Sequence, residues 1–295
     1  MGENIMDSYK GKHFLNDVIY RAADGLANSD AQMIEKNPGD FVWSKSAPRN
    51  GAKSKTTDIG TALHCAILEP EKYKDHIVVS EFKGRTAKGF EAEQKENLNK
   101  VVLTKDEYDQ VNLMAKSVFA HPSAESLLNL DGDCESSVFV KDKETGVNLK
   151  CRPDKDVVES ANAVIDVKTT ASIDDWRSDK EWINPLYKFN YGHGASFYMD
   201  VLEQHYNTKI DFFIFLVIQN SVELGRYPVA VFQISRQELI DLGFWDRHRG
   251  NISEFSRCES GNDWIHTETF DFVGRDNDFV IEDDIEVTFE GVNNA

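Results

Sequence analysis

The segment from residue 135 to residue 170 constrains the fold of this chain more than any other. It contains Arg152-Pro153-Asp154 and, after eleven intervening residues, Asp166-Val167-Lys168 within an apolar run. Both pieces have the composition of strands, and residues two apart in a strand share a face. Asp166 and Lys168 are therefore predicted to point out of a core together, while Val167 points into it. Residues 159–162 are predicted to form the turn of an antiparallel hairpin.

Two carboxylates and one lysine at strand ends suit metal-dependent cleavage of a phosphodiester. Carboxylates bind Mg²⁺, a hard cation, and a lysine can position or polarise the attacking water. Each piece also has a plain structural interpretation, because an Asp-x-Lys on a strand is usually a solvated face and a Pro-Asp is usually a turn. The combination and its spacing make the catalytic interpretation about as strong as the structural one, before the rest of the chain is considered.

Further blocks in the same order strengthen the catalytic interpretation. They are FVWSKSAP (41–48), DIGTALHCAILEP (58–70), ESS (135–137), ETG (144–146), CRPDK (151–155), DVKTT (166–170) and GRYPV (225–229). With this order and spacing the chain resembles the PD-(D/E)xK nuclease superfamily. It resembles more closely the phage and prophage exodeoxyribonuclease VIII (RecE-type) family, over about residues 31–264.

The resemblance implies an α/β fold with a PD-(D/E)xK restriction-endonuclease-like core, in which helices flank a central mixed β-sheet. The alternation of helical and strand patterns along the chain agrees with such a core. We expect one nuclease domain over residues 29–275. Residues 1–28 are predicted to be an N-terminal segment of uncertain order, and residues 276–295 an acidic C-terminal tail.

The resemblance also implies the active site. Its catalytic residues would be Asp154, Asp166, Lys168, Glu135 and His64. The metal ligands would be the three carboxylates and the backbone carbonyl of Val167, with His64 as a further candidate ligand. The metal would be Mg²⁺, with Mn²⁺ as a substitute in vitro. A structural role for His64 stays open, because a lone histidine at the edge of an apolar helical stripe is more often structural.

The activity that the resemblance implies is 5′-to-3′ exonuclease action on double-stranded DNA ends, in phage-type recombination by single-strand annealing. Its implied partners are duplex DNA ends, a RecT-type annealing protein and further copies of the chain in a tetramer. The expected location is the cytoplasm of a bacterial cell, for a phage- or prophage-encoded protein without a membrane span. Two other classes stay open: a structure-specific or other DNA endonuclease on the same core, and a non-catalytic DNA-binding recombination scaffold.

The net charge of −18 is unusual for a protein that binds nucleic acid. Twelve acidic residues and two arginines between residues 254 and 290 account for −10 of it. Local basic stretches can still bind phosphates, because screening weakens distant charges. The candidate DNA-binding residues in such stretches are Lys45, Arg49, Lys53, Lys55, Arg85 and Lys88, with Arg152 beside the motif. The alternative interpretation is that these stretches are solvated loops.

One position departs from the family pattern, which usually has a glutamine four residues before a tyrosine on the helix after the Asp-x-Lys strand. Tyr198 matches the tyrosine, but the glutamine position is Gly194. His193 is therefore a candidate substitute for the DNA contact, together with Tyr198. Tyr198 as a core aromatic is the alternative, and Gly192 and Gly194 are each expected to weaken the helix by roughly 1 kcal/mol relative to alanine.

The remaining patterns describe the scaffold. Asp58 is predicted to cap one helix and Thr104 another, Pro185 to begin a helix that runs to about Tyr206, and Arg236 to begin one that runs to about Arg257. Residues 211–220 are predicted to form a central strand. The four cysteines are scattered without a Cys-x-x-Cys pair, so free thiols are expected, with neither zinc nor an iron–sulfur cluster.

Overall fold

The strand that carries Asp166 and Lys168 lies in the middle of a five-stranded sheet. We describe residues 9–47 and 54–264 from a computed structural model. Within these ranges the strands are β1 (Gly11–His13), β2 (Ile77–Val79), β3 (Val101–Leu103), β4 (Asp133–Cys134), β5 (Ser137–Lys141), β6 (Asn148–Cys151), β7 (Lys155–Val157), β8 (Ala163–Thr170), β9 (Phe212–Gln219) and β10 (Val229–Ser235).

Helices surround this sheet. They are α1 (Asp17–Ala22), α2 (Asn28–Lys36), α3 (Pro38–Ser46), α4 (Lys55–Leu68), α5 (Pro70–His76), α6 (Lys88–Glu96), α7 (Lys105–Phe119), α8 (Pro122–Leu128), α9 (Val158–Ala161), α10 (Pro185–Lys188), α11 (Tyr191–Tyr206), α12 (Arg236–Asp241) and α13 (Phe244–Gly261), with a short 3₁₀ helix at Asp174–Arg177. None of the helices in the described ranges is long and apolar enough to cross a membrane.

The main sheet is mixed, as predicted. Its strand order is β10-β9-β8-β7-β4, with β8 and β9 parallel and the other pairs antiparallel. Alternate residues of β8 enter two separate cores. Val164 packs with Phe197 of α11 in one core, whereas Ile165 and Val167 pack in the other core with residues of α4 and α7. The sheet is thus covered by helices on both faces, which confirms the predicted fold class.

A smaller sheet joins the N-terminal segment to the domain. Its order is β1-β5-β6, and Leu26 forms a parallel bridge with Leu149 of β6. Lys150 on β6 is buried, and its ammonium donates to the backbone carbonyls of Tyr20 and Ala23 at the end of α1. A cation at the C-terminal end of a helix compensates its unpaired carbonyls. The folded unit therefore includes residues before the predicted boundary at residue 29. The predicted acidic tail, residues 276–295, lies outside the described ranges.

Several predicted helix ends differ from the observed ones. Ser54, not Asp58, caps α4, and Asp58 is instead buried one turn further on. The helix predicted from Pro185 is two helices, because Asn190 between them has a left-handed backbone with φ 60°. The helix predicted from Arg236 is likewise divided, at Gly243 with φ 77°. Thr104 caps α7 with a capping box to Glu107, as predicted.

Candidate active site

The spacing between Asp154 and Asp166 places the two carboxylates opposite each other. β7 and β8 are antiparallel, with Lys155 paired to Ile165 and Val157 paired to Ala163. Continuing that register by one residue sets Asp154 across from Asp166. The five residues between the strands form α9 and a left-handed Asn162, which close the hairpin. The predicted hairpin is therefore present. The segment before the hairpin forms two strands in different sheets, since β6 belongs to the small sheet and β7 to the main one.

His64 of α4 reaches the same point from the helical layer. Its Nδ1 donates to the carbonyl of Gly60 at 2.8 Å, one turn earlier in the helix. Its Nε2 lies 3.1 Å from Asp154 Oδ2 and 3.1 Å from the carbonyl oxygen of Val167. All three neighbours accept hydrogen bonds, so both ring nitrogens carry a proton when no cation is bound. Burial lowers the pKa of His64, but the charge of Asp154 outweighs it and raises the pKa to about 9.

Lys168 remains a cation in this site. Its ammonium forms an ion pair with Asp166 Oδ2 and lies 5.1 Å from the centre of the Tyr191 ring. Burial disfavours the charged form, but Asp166 and Asp154 together raise the pKa of Lys168 above its ordinary value. A lysine held in its protonated form is a hydrogen-bond donor and a positive charge, rather than a proton acceptor.

Three carboxylates converge here, and burial makes two of them resist ionisation although His64, Lys168 and Arg152 lie beside them. Burial and the nearby Asp154 raise the pKa of Glu135 to about 7. Burial raises the pKa of Asp166 to about 6, with Asp154 adding to the effect and Lys168 opposing it. Burial also favours a higher pKa for Asp154, but the positive charges of His64 and Lys168 hold that pKa below its ordinary value. Carboxylates that resist ionisation because of like charges are stabilised by a bound cation.

The donor atoms fit a divalent cation. Carboxylate and carbonyl oxygens and an imidazole nitrogen are donors that divalent cations take. His64 Nε2 lies 3.1 Å from both Asp154 Oδ2 and the Val167 carbonyl oxygen, so one ion could contact all three atoms. Asp166 Oδ2 is buried and accepts no hydrogen bond of good geometry, although Lys168 contacts it. Among the described residues, no three His, Cys, Asp or Glu side chains are arranged to hold a metal ion together. The close donor set here consists of two side chains and the Val167 carbonyl.

Glu135 stands at the rim of this cluster. It follows β4, has a left-handed backbone with φ 53°, and its amide donates to the carbonyl of Asp154 at 3.1 Å. Its carboxylate forms an ion pair with Arg152, whose Nε lies 3.0 Å from Oε2. A non-glycine residue with positive φ is uncommon and carries a modest energetic cost. The structure thus places Glu135 beside Asp154, with its carboxylate engaged by Arg152.

Comparison with known proteins agrees with this geometry. Residues 25–269 match a sequence family described as a PDDEXK-like domain of unknown function (DUF3799). The chain belongs to this PDDEXK-like family. Membership places it in the PD-(D/E)xK nuclease superfamily and supports a nuclease that uses divalent metal. No curated protein sequence matches the chain.

A solved structure supports the fold of the PDDEXK-like domain. A candidate exonuclease from Eubacterium rectale superposes with a TM-score of 0.57 at 14% sequence identity, over 84% of this chain and 87% of that chain. A second structure, SSO0001, has 17% identity over 68% of this chain and 86% of that chain, with a TM-score of only 0.28. The first likeness shows a shared fold, and the second carries no argument.

The predicted DNA-binding residues are dispersed over the PDDEXK-like domain. Lys45 pairs with Asp30 at 3.0 Å and lies over the Phe41 ring, while Lys55 is exposed at the start of α4. Arg49 and Lys53 lie outside the described residues. Lys88 is exposed at the start of α6. The exposed lysines are compatible with the predicted role, which stays a prediction.

Arg85 forms ion pairs inside the protein rather than facing solvent as a free cation. Its guanidinium donates to both carboxylate oxygens of Glu107, at 2.9 and 3.0 Å, and to Asp58 at 2.7 Å. Both carboxylates are buried, at 2% and 5% side-chain exposure. An arginine that neutralises two buried carboxylates cannot leave them for a phosphate without a large cost. This placement corrects the prediction that Arg85 binds DNA. Arg152 is similarly engaged, with Glu135.

His193 is completely buried, which corrects its prediction as a DNA contact. Its Nδ1 donates to Asn28 Oδ1 at 2.9 Å, and its Nε2 accepts from Asn251 Nδ2 at 2.9 Å. A Cβ at Gly194 would lie 3.1 Å from the Asn28 side chain. A larger residue at position 194 would therefore displace Asn28, whose side chain holds His193 in the network joining α2, α11 and α13. Tyr198 packs against the core beside it, in agreement with the alternative for that residue.

The sequence interpretation missed Tyr191. This residue is the first of α11, and its ring lies next to Lys168 and stacks on Trp176 with centroids 5.7 Å apart. The available signal was the aromatic spacing of Tyr187, Phe189 and Tyr191. That signal is weak, because aromatic residues at such spacing usually belong to a core.

Proposed function

We propose that this chain is a metal-dependent exonuclease that degrades double-stranded DNA from its ends in the 5′-to-3′ direction. The observation that carries the proposal is the convergence of His64 Nε2, Asp154 Oδ2 and the Val167 carbonyl, with Asp166 and Lys168 beside them. This set combines hard oxygen donors, one imidazole and a fixed positive charge. Such a set suits hydrolysis of a phosphodiester better than any other chemistry of these residues.

The residues proposed to hold Mg²⁺ are Asp154, Asp166, the Val167 carbonyl and His64, with Glu135 as a further carboxylate. Oxygen donors favour Mg²⁺, and Mn²⁺ accepts the same ligands together with imidazole. Bound by these residues, Mg²⁺ would supply Lewis-acid polarisation of the scissile phosphate and would make a water more acidic.

Lys168 supplies positive charge at the reacting phosphate. Because its pKa is raised, it keeps its proton and donates to the attacking water or to a phosphate oxygen as negative charge develops. Asp166 holds the ammonium in place through their ion pair. The carbonyl of Gly60 fixes the orientation of His64 by accepting from Nδ1, which directs Nε2 toward Asp154.

Attack at duplex ends in phage-type recombination is the finer part of the proposal. It rests on the resemblance to the exodeoxyribonuclease VIII (RecE-type) family and on the fold shared with the candidate exonuclease from Eubacterium rectale. The same resemblance motivates three further parts. They are a RecT-type annealing protein as partner, a homotetramer as the assembly, and the bacterial cytoplasm as the location.

The test uses linear duplex DNA labelled at either the 5′ or the 3′ end, with closed circular DNA alongside. In Mg²⁺ we expect early release of 5′-terminal nucleotides and intact circles. Asp166→Ala should release nothing under the same conditions while it stays folded by circular dichroism. Its matched control, the exposed Asp75→Ala, should retain full activity.

Other outcomes separate the alternatives. Nicked circles would indicate an endonuclease on the same core. DNA that is bound but never cleaved would indicate a recombination scaffold without catalytic activity. Cleavage retained by Asp166→Ala would overturn the site assignment itself.

A further inference from the structure

An aromatic side chain extends the candidate active site beyond its charged residues. The Tyr191 ring lies 5.1 Å from Lys168 Nζ and is supported from behind by Trp176, which is buried and stacks on it at an interplanar angle of 24°. Trp176 also contacts Phe215 and Phe232 of the sheet. Tyr191 is therefore held rigidly, with its ring beside the catalytic lysine.

Phe189 continues outward from Tyr191. Their ring centroids are 5.6 Å apart, and the turn between them is made by Asn190, which has φ 60°. Asparagine tolerates this left-handed conformation better than most residues. Phe189 is 53% exposed, so a large part of its ring faces solvent. A half-exposed ring held in contact with an aromatic stack offers a preorganised surface on which a planar ligand can stack.

Basic side chains accompany the exposed rings of this segment. Lys188 Nζ lies over the Phe189 ring, 5.2 Å from its centre, and the flexible stem of lysine lets it move off that face when a base stacks there. Nearby in sequence, Lys180 Nζ lies 5.7 Å from the centre of Trp182, which is 70% exposed. Aromatic rings interleaved with cations match single-stranded nucleic acid, whose bases stack on the rings while its phosphates meet the cations.

We propose that Phe189 stacks on an unpaired base at the end of the DNA strand whose phosphate lies at Lys168. Lys188 would then contact the adjoining backbone phosphate. Inside a duplex both faces of a base are stacked on neighbouring bases, and the outer face of a terminal pair is fixed at the end of the helix. An unpaired terminal nucleotide can rotate its base onto the ring. This inference rests on the proposed function for its substrate class. It adds a preference for ends at which one or more nucleotides are unpaired.

The test measures binding in Ca²⁺, so that it does not depend on cleavage. The probe is a DNA hairpin labelled in its loop, with three unpaired nucleotides at the 5′ end. A second hairpin has abasic sites at those three positions, and a third has a blunt end. Affinities are measured by fluorescence anisotropy for the wild-type protein, Phe189→Ala, Phe189→Trp and Phe212→Ala. Phe212 is a partly exposed phenylalanine at the start of β9. It pairs with Ala163 at the start of β8, five residues along the strand from Lys168, and therefore serves as the control.

The wild-type protein should bind the hairpin with unpaired bases about tenfold more tightly than the abasic one. Phe189→Ala should bind both equally, and Phe189→Trp and Phe212→Ala should behave as the wild type does. The blunt hairpin should bind as weakly as the abasic one. The inference is overturned if removing the bases weakens Phe189→Ala as much as the wild-type protein.

The failure of the proposed function gives a different pattern. If the wild-type protein distinguishes the hairpins in Ca²⁺ but nicks circles in Mg²⁺, the exonuclease proposal fails and the stacking site stands. If it degrades linear DNA from 5′ ends but binds the three hairpins equally, the stacking site fails alone. If it binds no DNA at all, both fail.

Discussion

His64 Nε2 lies 3.1 Å from Asp154 Oδ2, although ninety positions separate the two residues in sequence. The contact joins α4, which covers one face of the main sheet, to the residue that precedes β7. It also brings a nitrogen donor to the carbonyl of Val167 on the neighbouring strand. The candidate metal site is thus shared by a helix and two strands, and no single segment contains it.

Replacement of His64 should weaken Mg²⁺ binding rather than abolish DNA cleavage. We expect His64→Ala to require about 10- to 100-fold more Mg²⁺ for half-maximal cleavage, because one ligand is lost while the carboxylates remain. The measurement is the initial cleavage rate as a function of Mg²⁺ concentration. His76→Ala, at an exposed histidine, is the control. An unchanged Mg²⁺ requirement in His64→Ala would assign His64 a purely structural role.

Lys168 should affect rate far more than DNA binding. We expect Lys168→Ala to lose cleavage by about 10²-fold or more, because a fixed cation next to developing charge is removed. Its affinity for DNA in Ca²⁺, measured by gel shift, should change by much less. Lys188→Ala should show the opposite pattern: it should weaken binding of DNA with unpaired ends more than it slows cleavage. Similar losses of binding and rate in Lys168→Ala would argue for a DNA-binding role.

Arg85 should contribute to the stability of the fold and not to DNA binding. Arg85→Ala leaves the buried Asp58 without this cation and Glu107 with only the exposed Lys55 at 3.9 Å, and we expect the free energy of unfolding to fall by about 3 kcal/mol. Lys88→Ala, at the exposed start of α6, should leave stability unchanged and weaken DNA binding modestly. Urea denaturation and gel shift in Ca²⁺ report the two quantities. A stable Arg85→Ala with weakened DNA binding would restore the original prediction for Arg85.

The buried His193 should make stability depend on pH. Burial lowers its pKa to about 3 in the folded protein, against about 6.5 in the unfolded chain. Below pH 6.5 the unfolded chain binds a proton that the folded protein does not. The contribution of His193 is therefore complete above pH 6.5 and is lost as pH falls toward 3, by up to about 1.4 kcal/mol per pH unit.

Urea denaturation of the wild-type protein and His193→Gln at pH 7, 6 and 5 measures this contribution. The variant should be less stable at pH 7 by about 1–3 kcal/mol, because buried partners lose hydrogen bonds. The difference between the two proteins should then narrow as pH falls. His121→Gln serves as the matched control at a partly exposed histidine. Parallel curves for the wild-type protein and His193→Gln would contradict the buried neutral state.

Two helical glycines should respond in opposite directions. A Cβ at Gly192 would lie 2.5 Å from the Phe244 ring, whereas a Cβ at Gly250 would meet nothing within 4 Å. We expect Gly192→Ala to destabilise the protein by about 1–3 kcal/mol through overpacking. Gly250→Ala should stabilise it by about 0.5–1 kcal/mol, because alanine favours the helix. Thermal or urea unfolding distinguishes them, and a neutral Gly192→Ala would show that Phe244 can move aside.

The sequence by itself determined the features that depend on local spacing. Alternation in β8 set Asp166 and Lys168 on one face, and the eleven residues after Asp154 suffice for two short paired strands and a turn. The mixed sheet and its helical cover were implied by the family resemblance, and the alternation of helical and strand patterns along the chain agreed with them. These features are predictable because the side-chain period of a strand and the length of a hairpin are fixed by backbone geometry.

Only the tertiary structure decided which distant groups meet. The contacts of His64 with Asp154, of Arg85 with Asp58 and Glu107, and of His193 with Asn28 and Asn251 all join separate elements. A local basic stretch assigned Arg85 to DNA, and the family pattern assigned His193 to it. Burial with specific partners assigns both residues to the scaffold. A side chain's role depends on whether solvent or a specific partner satisfies its polar atoms, and that depends on how the elements pack.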